Sequence, residues 1–297
     1  MNFLRTYVNK LIFNIHYNSK RYIFKSLKNK NIYVNKVQSK EYLQFAKNTL
    51  LKSIEVENYK IMNSKIDFLS KKKFGMDPVT KFDLNLERIL RKKIENKYPK
   101  HSIKGEELNN KITQSDFEWI LDPIDGTKAL LTGQPTWSNL ISLYFKKKPI
   151  FGLANFPSLK KTFFSNDNGA FSLSFRKIKK IQTSRVTKLN NSKLITNSIH
   201  TFINQKIYRF FKNYPFFFKI TGVDAYNFCL LAEGKIDIII ESGLKQVDIM
   251  PVLPIVRKAG GVIVNWEGKN DLSKGQIIAC SNQILLKKFM NFFKSNY

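Results

Sequence analysis

Two aspartates three positions apart, Asp122 and Asp125, close the apolar run Trp119-Ile120-Leu121, with Pro123 between them. The proline ring fixes φ and stiffens the turn. Both carboxylates can then face one point, and the carbonyl of Ile124 can face it too. Hard oxygen ligands converging on a rigid turn suit Mg²⁺ better than a soft metal. Gly126 and Thr127 follow at once, where a helix could begin, and backbone N–H groups at such a start can hold a phosphate. Metal and phosphate could therefore meet within a few residues. An isolated D-P-x-D string is more often a turn capping a surface helix; the strand before this one and the Gly-Thr after it favour chemistry.

Further acids lie on either side. Asp83 opens a helical stretch, and the adjacent pair Glu106-Glu107 ends a short strand from His101. Adjacent acids in a loop are ordinarily solvated, and this pair gains weight from its place just upstream of Asp122. The three histidines (His16, His101, His200) are scattered, which gives no support to a histidine metal cluster or a triad. Cys229 and Cys280 sit in apolar surroundings and form no C-x-x-C pair, so a reducing compartment fits better than a disulfide framework or a zinc site.

These residues need a scaffold, and 297 residues at 43% hydrophobic can bury a core as one large domain or two subdomains. No apolar run reaches the ~20 residues of a membrane span, so a soluble protein is expected. The balance of 51 basic against 22 acidic residues gives +29. Clustered positive charge would suggest nucleic acid or an anionic membrane surface. Here the lysines are spread along the chain among Asn, Ile, Phe and Tyr, a mixture that an AT-rich genome also produces. No nucleic-acid-binding motif accompanies them. Nucleic acid is therefore not expected as a partner, although the positive field would still attract a phosphorylated metabolite.

Residues 1–37 contain Arg and Lys but no Asp or Glu. This segment reads as a basic extension, either a transit peptide, a loosely ordered arm or the product of an early start codon. The localisation expected is cytoplasmic, or organellar if the segment is a transit peptide. Past it, periodicity predicts helices from Glu41 to about Asn63 and from Asp83 to Tyr98, separated by a basic, glycine-containing loop from Lys71 to Thr80. Strands follow at Ser138–Phe145, Pro149–Asn155, Lys161–Ser165, Gly169–Leu173, Ile178–Thr183 and Leu194–Thr196, with a hairpin turn at Asn166–Gly169. A helix is expected at Thr201–Lys212, a strand at Phe216–Ile220, a helix at Asp224–Ala232 and a strand at Ile236–Glu241. The chain then closes with a helix at Asp248–Ala259, strands at Val262–Asn265 and Gln276–Ala279, and a helix at Gln283–Phe293. Mixed helices and strands without a repeat suggest a layered α+β or α/β architecture.

Three segments together resemble the inositol monophosphatase superfamily of Mg²⁺-dependent sugar and polyol phosphatases: G-E-E at Gly105–Glu107, W-I-L-D-P-I-D-G-T at Trp119–Thr127 and D-I-M-P-V-L-P-I-V-R-K-A-G-G at Asp248–Gly261. The likeness implies an α+β fold layered as an α/β/α/β/α sandwich over residues 38–297, with halves of about 38–183 and 184–297. It implies that Glu106, Asp122 and the Ile124 carbonyl bind one Mg²⁺, and that Asp122, Asp125 and Asp248 bind a second. Asp83 and Thr127 match positions that polarise the attacking water, and Asp83 could help to hold a third ion. The amides of Gly126 and Thr127 would bind phosphate, and Lys72 falls near a mobile metal-loop lysine. A homodimer is implied as well. Most members have Trp before the last aspartate, where this chain has Val247.

Within the superfamily the chain is most similar to the histidinol-phosphatases. Lys128-Ala129-Leu130-Leu131-Thr132-Gly133-Gln134-Pro135 is close to their D-G-T-K-x-F-x-x-G-x-P continuation, and Asp77-Pro78-Val79-Thr80 resembles their S-P-V-T. Gly222-Val223-Asp224-Ala225-Tyr226 and Glu241-Ser242-Gly243-Leu244-Lys245 match G-G-D-x-Y and E-x-G-L-K. L-Histidinol phosphate carries an ammonium and an imidazole, which Asp224 and Glu241 could meet with charge-assisted hydrogen bonds, alongside Asp125. Asp224 also reads as a helix N-cap after Gly222, and Glu241 as an acid ending a strand. The alternatives are an inositol-1-phosphatase or broad polyol phosphatase and, in another class, a non-catalytic basic protein binding RNA or an anionic surface on this fold. Leu130 stands where bisphosphate nucleotidases carry an acid.

Overall fold

The computed structural model describes residues 34–70, 78–196, 216–222 and 224–296. The helix expected at Thr201–Lys212, residue Lys72 and nearly all of the basic extension lie outside these residues. Along the described chain come α1 (Lys36–Phe45), a π-helical stretch (Ala46–Leu51), α2 (Lys52–Met62), β1 (Phe68–Ser70), β2 (Pro78–Thr80), α3 (Lys81–Lys97), β3 (Ser102–Gly105) and β4 (Phe117–Asp125). Then follow α4 (Thr127–Leu131), β5 (Ser138–Phe145), β6 (Lys148–Phe156), β7 (Lys161–Asn166), β8 (Gly169–Ser174) and β9 (Lys177–Ile181). The remainder is β10 (Lys193–Thr196), β11 (Phe218–Thr221), α5 (Asp224–Ala232), β12 (Ile238–Glu241), α6 (Gln246–Ala259), β13 (Val262–Asn265), β14 (Ile277–Cys280) and α7 (Gln283–Asn296). No described helix is long and apolar enough to cross a membrane.

Two sheets organise these elements. Strands β3 to β9 form a seven-stranded sheet in sequence order, and β11-β10-β12-β14-β13 form a five-stranded one. Alternating side chains give each sheet two apolar faces, because successive residues of a strand point to opposite sides. Trp119, Leu121, Ile141 and Leu143 pack beneath Leu50, Ile54, Leu86 and Leu90 of the first helices. On the other face, Leu140, Ala154 and Phe156 meet α5 and α6 through Phe228, Val252 and Val256, which in turn cover Ile239, Ile263 and Ala279 of the second sheet. Residues one position away on that sheet, Ile238, Ile240 and Ile278, turn outward onto Leu285, Phe289 and Phe293 of α7. The result is an α+β fold in five layers, as expected.

Helix α6 carries two internal prolines, Pro251 and Pro254, and still sits against the large sheet. Pro254 has no N–H for the Met250 carbonyl; the Tyr144 hydroxyl donates to that carbonyl instead, at 2.8 Å. Gly152 admits the helix, since a Cβ there would lie 2.0 Å from the Pro251 carbonyl oxygen. Val247, in place of the more usual Trp, is buried with Ile120 and Tyr144.

Three of the differences from the sequence expectation have a visible physical cause. The first helix begins at Lys36 rather than Glu41, because Ser39 is buried and donates to Asp167 in the β7–β8 turn at 2.5 Å. Part of the expected loop from Lys71 to Thr80 is a strand: Pro78–Thr80 pairs antiparallel with Phe68–Ser70. The strand at Ile178 ends at Ile181, and the Thr183 amide leaves the ladder to donate to Ala259 at 3.0 Å.

Candidate active site

The ends of β3 and β4 and the start of α6 meet at one point. Glu106 follows β3, Asp122 lies on β4 and Asp248 is in the first turn of α6, and one carboxylate oxygen from each falls within 4.8 Å of the others. The β4–β5 pairing loses register between Asp122 and Asp125, so the strand bulges where Pro123 has no N–H to give to the ladder. Asn139 holds the bulge by donating to the Pro123 carbonyl at 2.8 Å, and it is itself bonded to Asn58 on α2 and Asn155 on β6. The Ile124 amide folds back onto Asp122 Oδ1 at 3.1 Å.

Burial pushes the Asp122 carboxyl well above the ordinary carboxylate range, and the neighbouring Glu106, Asp125 and Asp248 push it further. Burial also raises Asp248 to about 7, although the Lys245 amide that donates to it works the other way. A cation placed among these oxygens would restore the charged forms. The three donors are carboxylate oxygens, a set that fits Mg²⁺.

Asp125 stands to one side of this cluster. Its Oδ2 accepts from the Ser138 hydroxyl at 3.1 Å and from the Ala225 amide at 3.0 Å, so it occupies the N-terminal end of α5. Burial raises its carboxyl strongly, and Asp224 and then Asp248 add to the effect. Asp224 has φ +48, a left-handed conformation that Asp tolerates better than most residues. Its Oδ2 lies 2.8 Å from where a Cβ on Gly126 would be, and Gly126 has φ +76. Burial raises the Asp224 carboxyl while Lys128 opposes this. The Thr127 hydroxyl donates to the Ile124 carbonyl at 3.2 Å. The structure therefore joins Asp125, Gly126 and Asp224 into one wall of the site.

Asp83 is buried at the start of α3, one turn beyond Thr80, and accepts from the Thr80 amide at 2.8 Å and its hydroxyl at 2.5 Å. Its carboxyl is raised by burial, with Glu106 close enough to contribute. Strand β2, which carries Thr80, lies against α4, which begins at Thr127.

Several positioning residues carry no motif. Glu87, fully buried on α3, accepts from the amides of Glu107 (2.7 Å) and Leu108 (3.2 Å) and from Arg91 Nε (2.7 Å). Arg91 in turn donates to the Leu108 carbonyl at 3.1 Å. The pair clamps the loop that presents Glu106. Their spacing of four on a helix was the available signal. Lys245 donates to Glu106 Oε1 at 2.7 Å, and its neighbour Gln246 accepts from Lys104.

Glu241 ends β12 with no exposed surface, and burial lifts its carboxyl to about 8 against the pull of the Asn227 hydrogen bond. Asn227, on α5, is a buried residue that the sequence did not single out.

The model of the inositol monophosphatase family matches residues 38–295. A relative from Arabidopsis thaliana, the chloroplastic bifunctional phosphatase IMPL2, is 36% identical over 72% of this chain. That match spans 61% of the relative's own length. The histidinol-phosphatase of Mycobacterium tuberculosis is 28% identical over 69% of this chain and 80% of its own. Among solved structures, an inositol monophosphatase from Zymomonas mobilis superposes with a TM-score of 0.72 at 25% identity, covering 86% of this chain and 98% of that one.

Proposed function

The chain belongs to the inositol monophosphatase family, and from that premise we propose that it hydrolyses L-histidinol phosphate to L-histidinol and phosphate. Phosphatases of this family act on small phosphorylated molecules with Mg²⁺. The observation that carries the reaction is the convergence of Glu106, Asp122 and Asp248. In this reading those three, with Asp125 and the Ile124 carbonyl, hold two Mg²⁺ ions. The bound metal would supply a water of lowered pKa and charge balance for an in-line displacement. Asp83, tied to Thr80, and Thr127 would orient and take the proton of that water. The amides of Gly126 and Thr127 would hold the phosphate. Glu106 is presented by the Glu87–Arg91 clamp, so its placement is a property of the fold.

Two acids beyond the metal cluster support the choice of substrate. Glu241 is a fully buried carboxylate and Asp224 a partly buried one beside the site, and Asp224 and Asp248 each raise the Glu241 carboxyl. A polyol offers hydroxyls to such a wall, whereas histidinol offers an ammonium and an imidazole, which stabilise buried carboxylates better. A second reading, inositol 1-phosphate, is favoured by the structural likeness to the Zymomonas mobilis enzyme. A substrate panel with Mg²⁺ separates the two. Phosphate release from L-histidinol phosphate well above that from inositol 1-phosphate is the expected result. Activity on inositol 1-phosphate alone would overturn the substrate assignment, and silence on every phosphomonoester would overturn the reaction.

A further inference from the structure

We propose that Lys245 is a tethered cation that competes with the metal for Glu106 and swings away when Mg²⁺ binds. The inference rests on the metal-site reading above. The Lys245 ammonium lies 2.7 Å from Glu106 Oε1, with the lysine side chain 49% exposed and the glutamate side chain 15% exposed. One residue therefore grips two candidate ligands. Its backbone N–H donates to Asp248 Oδ2 at 2.7 Å while its side chain holds Glu106.

Helix capping does not explain a lysine here. Lys245 precedes α6 in extended conformation (φ −82, ψ 164), the position where a side-chain acceptor for the first amides is preferred. An ammonium has only donors. What it offers instead is positive charge on a four-carbon stem, among three converging carboxylates. A divalent ion and an ammonium sharing one carboxylate repel strongly at such separations. The exposed, flexible stem gives the ammonium a route into water. Its presence would lower metal affinity and limit the repulsion among the acids whenever the metal is away.

The experiment compares the full chain, stripped with a chelator, as wild type, Lys245→Met, Lys245→Arg, Lys104→Met and Asp122→Asn. Mg²⁺ affinity is measured by calorimetry, and melting is followed with and without the ion. Lys245→Met is expected to bind Mg²⁺ about fivefold tighter and to melt lower than wild type only in chelator. Lys245→Arg, which keeps the pair, should bind no tighter than wild type. Lys104→Met removes a nearby charge that does not touch a candidate ligand, and should change affinity little. Equal gains in Lys104→Met and Lys245→Met would show a general field effect and overturn the proposal, as would unchanged affinity in Lys245→Met or a gain in Lys245→Arg. If Asp122→Asn binds Mg²⁺ as well as wild type, the metal-site reading itself falls. If Asp122→Asn loses binding while Lys245→Met matches wild type, the role of Lys245 alone falls.

Discussion

Asn227 donates to Oε1 of Glu241 at 2.7 Å, and the other oxygen of that carboxylate, Oε2, is buried without a hydrogen-bond partner among the described residues. A buried carboxylate left half-satisfied is costly when charged. Its carboxyl is accordingly raised to about 8, first by burial and then by Asp224 and Asp248. The sign of the consequence follows from linkage. The folded chain binds a proton that the unfolded chain releases near the ordinary value of 4.5, so this group's contribution is complete below about 4.5 and is lost as pH climbs toward 8. Glu241→Gln should flatten the fall in melting temperature between those pH values in chelator-treated protein. An unchanged slope would place the pH dependence elsewhere. The same variant should raise KM for L-histidinol phosphate if Oε2 meets the substrate's ammonium.

Asp125 has two separable duties. It accepts from Ser138 and from the Ala225 amide that opens α5, and its charge acts on Asp224 and on Asp248 of the acidic cluster. Asparagine keeps an acceptor oxygen and loses the charge. Asp125→Asn should therefore fold with a nearly unchanged melting temperature and lose activity by about a hundredfold or more, since even outer hydrogen-bond partners of metal ligands are each worth about 10–100-fold. Ser138→Ala, which removes one such partner, should weaken Mg²⁺ binding by about tenfold. A collapse of folding in Asp125→Asn would make the residue a structural cap before anything else.

The layers were legible in the sequence because a short continuous apolar run reads as a strand buried on both faces, as at Ile238–Glu241, and an apolar period of 3.6 reads as a helix, as at Gln283–Phe293. Glu106, Asp122 and Asp248 were legible for another reason: their spacing within short motifs is imposed by what they must do together. Glu87, Arg91, Asn139 and Asn227 were not. Each reaches across more than ten residues of sequence, to Glu107, Leu108, Pro123 or Glu241; the spacing of four pairs Glu87 with Arg91, but no local pattern records these distant contacts. The left-handed backbone of Asp224 was hidden for a similar reason. The close approach of its carboxylate to Gly126, together with φ +76 at that residue, shows why glycine is needed at 126.

That approach makes Asp224 a specific test of substrate. At φ +48 asparagine is as well tolerated as aspartate, so Asp224→Asn removes charge without adding backbone strain. The expected result is a rise in KM of about tenfold for L-histidinol phosphate, with a much smaller change for inositol 1-phosphate. Equal changes for both substrates would make Asp224 a prop for Gly126 rather than a reader of the substrate. Gly126→Ala is a harsher probe, because its new methyl meets Asp224 Oδ2 at 2.8 Å in a left-handed backbone. It should cost about 1–2 kcal/mol of stability and impair both substrates alike.

The Glu87–Arg91 clamp can be tested for positioning separately from stability. Glu87 is fully buried and the Arg91 side chain is 10% exposed, so Glu87→Gln leaves a buried guanidinium without its counter-charge and should destabilise the fold by about 3 kcal/mol. It also weakens the acceptor for the Glu107 and Leu108 amides, which present Glu106. Mg²⁺ affinity should fall by about tenfold as a result. Replacing both residues with leucine removes the stranded charge, and apolar replacements of buried pairs are often neutral in stability. The double variant is therefore expected to regain most of the lost melting temperature while its Mg²⁺ affinity stays low, because the two amides still lack their acceptor. Recovery of both quantities together would mean that the clamp only stabilises the fold, and that Glu106 finds its place without it.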